Sequence, residues 1–506
     1  MAGVSDFHIS PAELTGGLSG IRRADREHEI PDPINFEDWA MFPESLEELM
    51  ARRGWRPSGR PPRHRISHWT PFPYPKLIGR PRDLADLHLA DRLVTHSVVA
   101  RIGAHIDQSL SRRMYANRLA RSGPNWQLAH FRNASRAYRD DRLRSLADHM
   151  WPYTLITDVS SYYPSISRER LVRRLRAIPC EGEAIDTLEE LLTTWQTRDG
   201  LQGLPMGQQP FGVIAAPMMG PADAMMERWA ADHFIYGDDI TMFATDAVSG
   251  SLLRSQLEEL LGDCGLVLNL DKTTECYDPM EAWDALENDL LASLGVLGRR
   301  DPDLGLERAR LIWDELAASG PVTEPHQLAE LHSSLAWMGN HGDTHAAGAL
   351  VGRRDLLQLS PKATFDYLMK VSVDDLSIAA DVSDIASTPV TPTTAAMVLH
   401  ALRFTAARQR PFVGSVCERL LDIGAYTPVR AWAAFAHSRT SNWSCADTLE
   451  RAEAESNFWV TRSLLASTRD AQDHVRLRGR FLKHIAPDHP DLAAVAAWVT
   501  KPGELN

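Results

Sequence analysis

Cysteine is scarce in this chain. There are five among 506 residues, at positions 180, 264, 276, 417 and 445, with no CxxC pair. That spacing excludes a disulfide scaffold and a paired-cysteine zinc site, and it fits a reducing, cytoplasmic setting. Long apolar runs are missing too. No stretch of 18 apolar residues occurs, so neither a transmembrane helix nor a membrane partner is expected. The opening MAGVSDFHISPAEL lacks the basic start and apolar core of a secretory signal. What is present is 44% hydrophobic and 24% charged residues. That composition excludes a disordered or fibrous chain, and the length fits about two to four domains.

The net charge of −13 speaks against a nucleic-acid partner until its distribution is resolved. Residues 1–50 carry 3 basic and 11 acidic side chains, residues 51–180 carry 25 and 9, and the remainder carry 26 and 47. A basic block, nearly all arginine, inside an acidic chain is the electrostatic pattern of a phosphate-binding surface. A solvated basic face is the alternative.

Local patterns set the organisation. Residues 55–75, rich in Pro, Arg and aromatics, read as extended chain or loop. Residues 83–120 have helical periodicity, YTLITD (153–158) reads as a strand, and 168–178 as a basic amphipathic helix. Residues 211–230 read as a buried helix, FIYGDDITMFA (234–244) as a hairpin, 251–265 as a helix and 266–273 as a strand. Beyond about residue 280 the texture becomes Ala-, Leu- and Trp-rich. Helices are expected near 305–318, 324–338, 361–371, 393–408, 413–424, 427–437 and 457–468, as an irregular, solenoid-like array.

The residues that carry chemistry are carboxylates. Asp238 and Asp239 are adjacent in a tight turn, where both ionise cheaply only with a cation beside them. A turn with no catalytic role is the bland reading of such a pair. Asp158 ends a second strand. Three carboxylates on adjacent strands suit two Mg²⁺ ions about 3.5–4 Å apart, the arrangement that clamps the attacking and leaving oxygens of in-line phosphoryl transfer.

Five blocks in this order resemble the fingers and palm of the reverse transcriptase family. They are PFPYPKLIGRPRDL with Asp91-Arg92, DVSSYYPSI, GLPMGQQP (203–210), YGDD and GLVLNLDKT. The resemblance covers residues from about 70 to 275 and implies an RNA-directed DNA polymerase. It assigns catalysis to Asp158, Asp238 and Asp239 and metal binding to these with Val159. It assigns nucleotide contacts to Lys76, Arg82, Tyr163, Gly207 and Lys272. Tyr163 matches the aromatic that blocks a 2′-hydroxyl, and Tyr162 reads as its core neighbour. Two Mg²⁺ ions, with Mn²⁺ as a substitute, dNTPs, and an RNA template or DNA product are the implied cofactors and partners. Homo-oligomerisation is left open. Met206 stands where the family usually has Gln. The Gly of YGDD is commoner in RNA-templated RNA polymerases, which stay as an alternative.

The expected fold class is therefore an α+β palm-and-fingers polymerase domain followed by an all-α, repeat-like C-terminal domain. The expected segments are an acidic extension over 1–55, fingers and palm over 56–285, and helices over 286–506. No endonuclease, integrase or ribonuclease H motif is evident in the sequence. A palm followed by irregular helices resembles the bacterial abortive-infection and defence-associated reverse transcriptases. That implies a cytoplasmic antiphage enzyme, with template-independent or protein-primed synthesis and a non-catalytic palm as further alternatives. Arg469 and His474 fit the R-polar-xxx-H pattern of HEPN ribonucleases, but a solvated helix face is the preferred reading. His341 and His345 read as surface residues, since the pair lacks a third metal ligand.

Overall fold

The computed structural model describes residues 7–26, 32–55, 64–76, 81–287, 294, 301–371, 391–405, 410–423, 426–440, 444–469 and 492–500. The chain starts with three helices, α1 (Pro11–Arg26), α2 (Glu37–Met41) and α3 (Pro43–Arg52). Strands β1 (Thr70–Tyr74) and β2 (Arg82–Asp86) pair with each other, and α4 (Leu89–Ser109) follows. After β3 (Leu119–Arg121) and β4 (Gln127–Leu128) come α5 (Phe131–His149) and β5 (Tyr153–Asp158). Helices α6 (Tyr162–Ser165), α7 (Arg168–Arg176), α8 (Gly182–Asp199), α9 (Gln209–Ala215) and α10 (Gly220–Trp229) lead to β6 (Asp232–Tyr236) and β7 (Asp239–Ala244). Helix α11 (Ala247–Asp263), β8 (Thr274–Cys276) and α12 (Pro279–Glu287) complete this stretch.

Two compact units result. The first comprises residues 1–24, 47–70 and 85–288, and the second 25–46, 71–84 and 289–506.

The first unit is built on a four-stranded sheet in the order β6-β7-β5-β8, antiparallel throughout. Register decides which side chains share a face. Tyr153 opposes Ala244 and Asp158 opposes Asp239, so Thr154, Ile156 and Asp158 lie on one face with Asp239, Thr241 and Phe243. Helices α5 and α12 cover most of that face, through a core of Tyr138, Leu146, Phe234, Phe243, Cys276, Ala282 and Leu286. The two acids stand at its end. On the opposite face Tyr153 packs on α11, where a Cβ at Gly250 would lie 2.2 Å from the tyrosine ring. Helix α4 is buried on nearly every side. Its Asp91 is buried and accepts a hydrogen bond from the Ser67 backbone N–H at 2.9 Å. Burial pushes that carboxyl up to about 6.

Three local expectations need correction. The segment 266–273 is not a strand. Only Leu268 bridges Val159, a 3₁₀ turn follows at Leu270–Lys272, and the strand begins at Thr274. The helix expected over 211–230 is broken into α9, a 3₁₀ turn at Ala216–Met219 and α10, as Pro217 and Pro221 would dictate. Residues 82–86 and 119–121 are strands rather than parts of one long helix.

Among the described residues beyond 288, every regular element is helical. The helices include Pro302–Ala318, Pro325–Asn340, Pro361–Val371, Pro392–Thr405, Arg410–Ile423, Thr427–Thr440, Cys445–Ala454, Phe458–Ser467 and Ala493–Thr500. Residues 25–46 join this unit through Arg462. Its buried guanidinium bonds Asp38 at 2.6 and 2.8 Å and Asp32 at 2.6 Å, and lies 4.7 Å from the Trp39 ring centroid. Arg469 stacks on buried Trp498 at 3.9 Å, and His474 lies outside the described residues. His341 and His345 are exposed and bond Trp337 O and Asp314 respectively.

Candidate active site

Backbone geometry makes the acidic turn. Tyr236 pairs with Asp239, leaving Gly237 and Asp238 as a two-residue connection between β6 and β7. Gly237 has φ 68°, the left-handed conformation that glycine adopts without penalty at the first central position of such a turn. The neighbouring segment fixes the turn further: Val159 N–H donates to Asp238 O at 3.1 Å and Asn269 N–H to Asp158 O at 2.9 Å. Asp158 is therefore brought beside the Asp238-Asp239 pair by three separate stretches of chain.

The electrostatics reflect that crowding. Protein atoms strip hydration from Asp239 although it reaches solvent, and Asp238 and Asp158 repel it, so its carboxyl is pushed up to about 6. Lys272 and Arg142 act in the opposite sense. Lys272 Nζ sits 2.7 Å from Asp158 Oδ2, half-exposed against a nearly buried carboxylate. The other oxygen, Asp158 Oδ1, is buried without a hydrogen-bond partner.

Among the described residues, no three His, Cys, Asp or Glu side chains converge as a ready-made metal cage. A lysine neutralises Asp158 in this arrangement. The donor set itself still suits a hard dication: carboxylate oxygens only, mutually repelling, with one buried oxygen left unpaired. Val159 is 1% exposed and apolar, so it offers a cation only its backbone carbonyl.

Tyr163 is the second residue of α6, half-buried and within the field of Asp238. Its hydroxyl is pushed up to about 12, first by loss of hydration and then by that carboxylate. Tyr162 is the core neighbour, buried with its hydroxyl donating to Ala215 O at 2.8 Å. Gly207 has φ 89° in the turn before α9, which is tied to β2 by Ala85 N–H donating to Met206 O and Gln208 Nε2 to Ala85 O. Gly203 carries the tighter constraint. A Cβ there would lie 2.1 Å from Tyr163 O, and its φ is 63°. Gly203→Ala should destabilise the protein by more than the roughly 1–2 kcal/mol of left-handed strain alone. Paired thermal melts of wild type and variant check this.

The structure thus brings Asp158, Asp238, Asp239, Tyr163 and Lys272 together. Lys76 and Arg82 are both exposed and belong to the second unit rather than to the one that carries the acids. Sequence reasoning missed Arg142. Arg142 on α5 donates to Thr241 Oγ1 at 3.2 Å and stacks 4.0 Å over the Tyr138 ring, which places its charge near Asp239. Within an arginine-rich block nothing marked it out.

No family model matches the chain, and no curated protein matches it. Among solved structures the chain is similar to the telomerase from Candida albicans in complex with the TWJ fragment of telomeric RNA. The identity is 11% and the TM-score 0.27, over 74% of this chain and 69% of that one. A likeness at that score establishes neither fold nor function. Among the described residues no helix is long and apolar enough to cross a membrane.

Proposed function

We propose that the first unit carries the palm of a reverse-transcriptase-type DNA polymerase, with the second unit as a helical companion. The observation that carries this reading is the register of β5 against β7, which sets Asp158 directly opposite Asp239 beside the Asp238 turn. The five sequence blocks add to it. Asp158, Asp238, Asp239 and the Val159 carbonyl would hold Mg²⁺, or Mn²⁺ in its place. Bound there, two ions supply charge stabilisation to the attacking and leaving oxygens of phosphoryl transfer. The chain's own residues do the rest. Tyr163 fills the volume a 2′-hydroxyl needs. Lys272 and Arg142 balance the carboxylates. Gly207 lets the backbone approach the nucleotide, and Lys76 and Arg82 are assigned to the triphosphate.

The test is incorporation of dNTPs with Mg²⁺, with and without template and primer. Incorporation of dNTPs in preference to rNTPs is expected. Preference for rNTPs would favour the RNA-polymerase alternative, synthesis without template the untemplated one, and no incorporation a binding palm. Nucleic-acid affinity should fall steeply between about 50 and 200 mM salt, because the arginine block acts through phosphates. On the resemblance to defence enzymes the proposal extends to antiphage activity. Plating of phage on cells carrying wild type or the Asp238→Asn, Asp239→Asn form tests it.

A further inference from the structure

The stretch that carries Lys272 is stitched to the end of β5. Ser160 N–H donates to Val267 O at 2.8 Å and Asn269 N–H to Asp158 O at 2.9 Å. The hydroxyls of Thr157 and Thr273 are hydrogen-bonded at 2.7 Å, and Thr273 Oγ1 donates to Asn269 O at 2.8 Å. These bonds bracket the 3₁₀ turn Leu270–Lys272, whose three residues are all exposed. The turn fixes where the lysine backbone stands, while its flexible four-carbon stem stays free to swing.

The two partners of the ion pair are unequally held. Lys272 Nζ lies 2.7 Å from Asp158 Oδ2, with the lysine side chain 53% exposed and the aspartate side chain 10% exposed. Asp158 stands in a strand opposite Asp239, whereas the ammonium can return to water. The lysine also leaves the carboxylate half satisfied. Asp158 Oδ1 is buried without a hydrogen-bond partner, a costly condition for a charged oxygen. The choice of residue points the same way. Of the 54 Lys and Arg residues in the chain only 6 are lysines. An arginine grips a carboxylate through a rigid fork, as Arg462 does with Asp32 and Asp38, while lysine offers one compact charge on a flexible stem. Asp158 is met by a lysine.

We infer that Lys272 is an exchangeable counter-ion of Asp158: it neutralises the carboxylate until a divalent cation enters, then gives the oxygen up, and so sets how tightly the acid site takes its metal. The inference rests on the polymerase reading and deepens it at the same site. A dication is attracted by three carboxylates, the ammonium by the one it touches. The ammonium must nevertheless leave first, which lowers the apparent affinity for metal. A lysine acting only through its field would weaken metal binding too, but would stay in place.

The experiment uses the full chain with Mn²⁺ or Mg²⁺ alone, without nucleotide. In calorimetric titration Lys272→Met should bind Mn²⁺ about 5-fold or more tightly than wild type, because the lysine-free form no longer has to be selected. Lys272→Arg, which keeps a cation beside Asp158, should bind no more tightly than wild type. Position is read separately. With 6 lysines in the chain, ¹³C-dimethylation gives few NMR signals, and that of Lys272 is assigned by its loss in Lys272→Arg. Mg²⁺ should move this signal toward the place it holds in Asp158→Asn, where the ammonium has no carboxylate to hold it. Melting temperatures confirm that the variants fold, and Lys272→Gln serves if Lys272→Met does not. Where Mn²⁺ binding depends on Asp238 and Asp239, equal affinity in wild type and the folded neutral variant overturns the exchange and leaves the polymerase reading intact. A Lys272 signal that Mg²⁺ leaves in place does the same. Mn²⁺ binding that is unaltered in the Asp238→Asn, Asp239→Asn form overturns the reading of the acids and this inference together.

Discussion

Asp239→Asn should reduce dNTP incorporation by at least about 10³-fold, a loss of roughly 4 kcal/mol of transition-state stabilisation. The side chain lies opposite Asp158 in the sheet and next to Asp238 in the turn. Its surroundings oppose its charge, through lost hydration and repulsion by two neighbouring carboxylates. Removing that charge removes a donor for the dication, while the fold loses nothing it depends on. The variant should therefore melt no lower than wild type. Activity and stability move apart here, which separates loss of chemistry from loss of structure. Near-wild-type incorporation by a folded Asp239→Asn protein would refute the assignment of the acids. Rapid-quench or gel-based extension, alongside calorimetry, measures both quantities.

The second large effect concerns stability. Arg462 is 1% exposed and is held by Asp32 and Asp38 in four hydrogen bonds, with Phe36, Trp39 and Trp459 around the guanidinium. Arg462→Met should destabilise the second unit by about 3–5 kcal/mol, because it leaves two largely buried carboxylates uncompensated. Replacing Arg462, Asp32 and Asp38 together by apolar residues should recover much of that loss, since no buried charge is then left uncompensated. Denaturant titration followed by tryptophan fluorescence reports on the surrounding indoles. If the single and triple variants are equally destabilised, the effect is one of packing volume and not of charge.

Much of the acid site was legible in the sequence because its constraints are local. YTLITD and the runs around GDD alternate or cluster β-formers, and a glycine between them permits a two-residue turn. Three carboxylates at those positions are recognisable whatever the rest of the chain does. The helices after residue 300 were legible for the same reason, with Pro at their starts and apolar residues at helical spacing. The failures have the opposite cause. Residues 266–273 carry strand-like Val and Leu, yet only Leu268 forms a strand-type bridge, because Val159 sits just past the end of β5 and offers a single one. Whether a short apolar run becomes a strand depends on the edge available to it, and that is not local information.

The sequence by itself determined the residue types at the site, the hairpin that holds Asp238 and Asp239, and the helical character of the later part. Tertiary structure alone decided which residues from distant stretches share a face. It set Asp158 opposite Asp239, brought Lys272 to Asp158, and packed Asn117 into the space left by Gly212. It also placed residues 25–46 with the helical unit, where Arg462 meets carboxylates more than 400 positions earlier. The physical reason is one of range. Turn conformation and helix periodicity are fixed by neighbours in sequence. Strand register, ion pairing and the clearance around a side chain are fixed by atoms that only folding brings near.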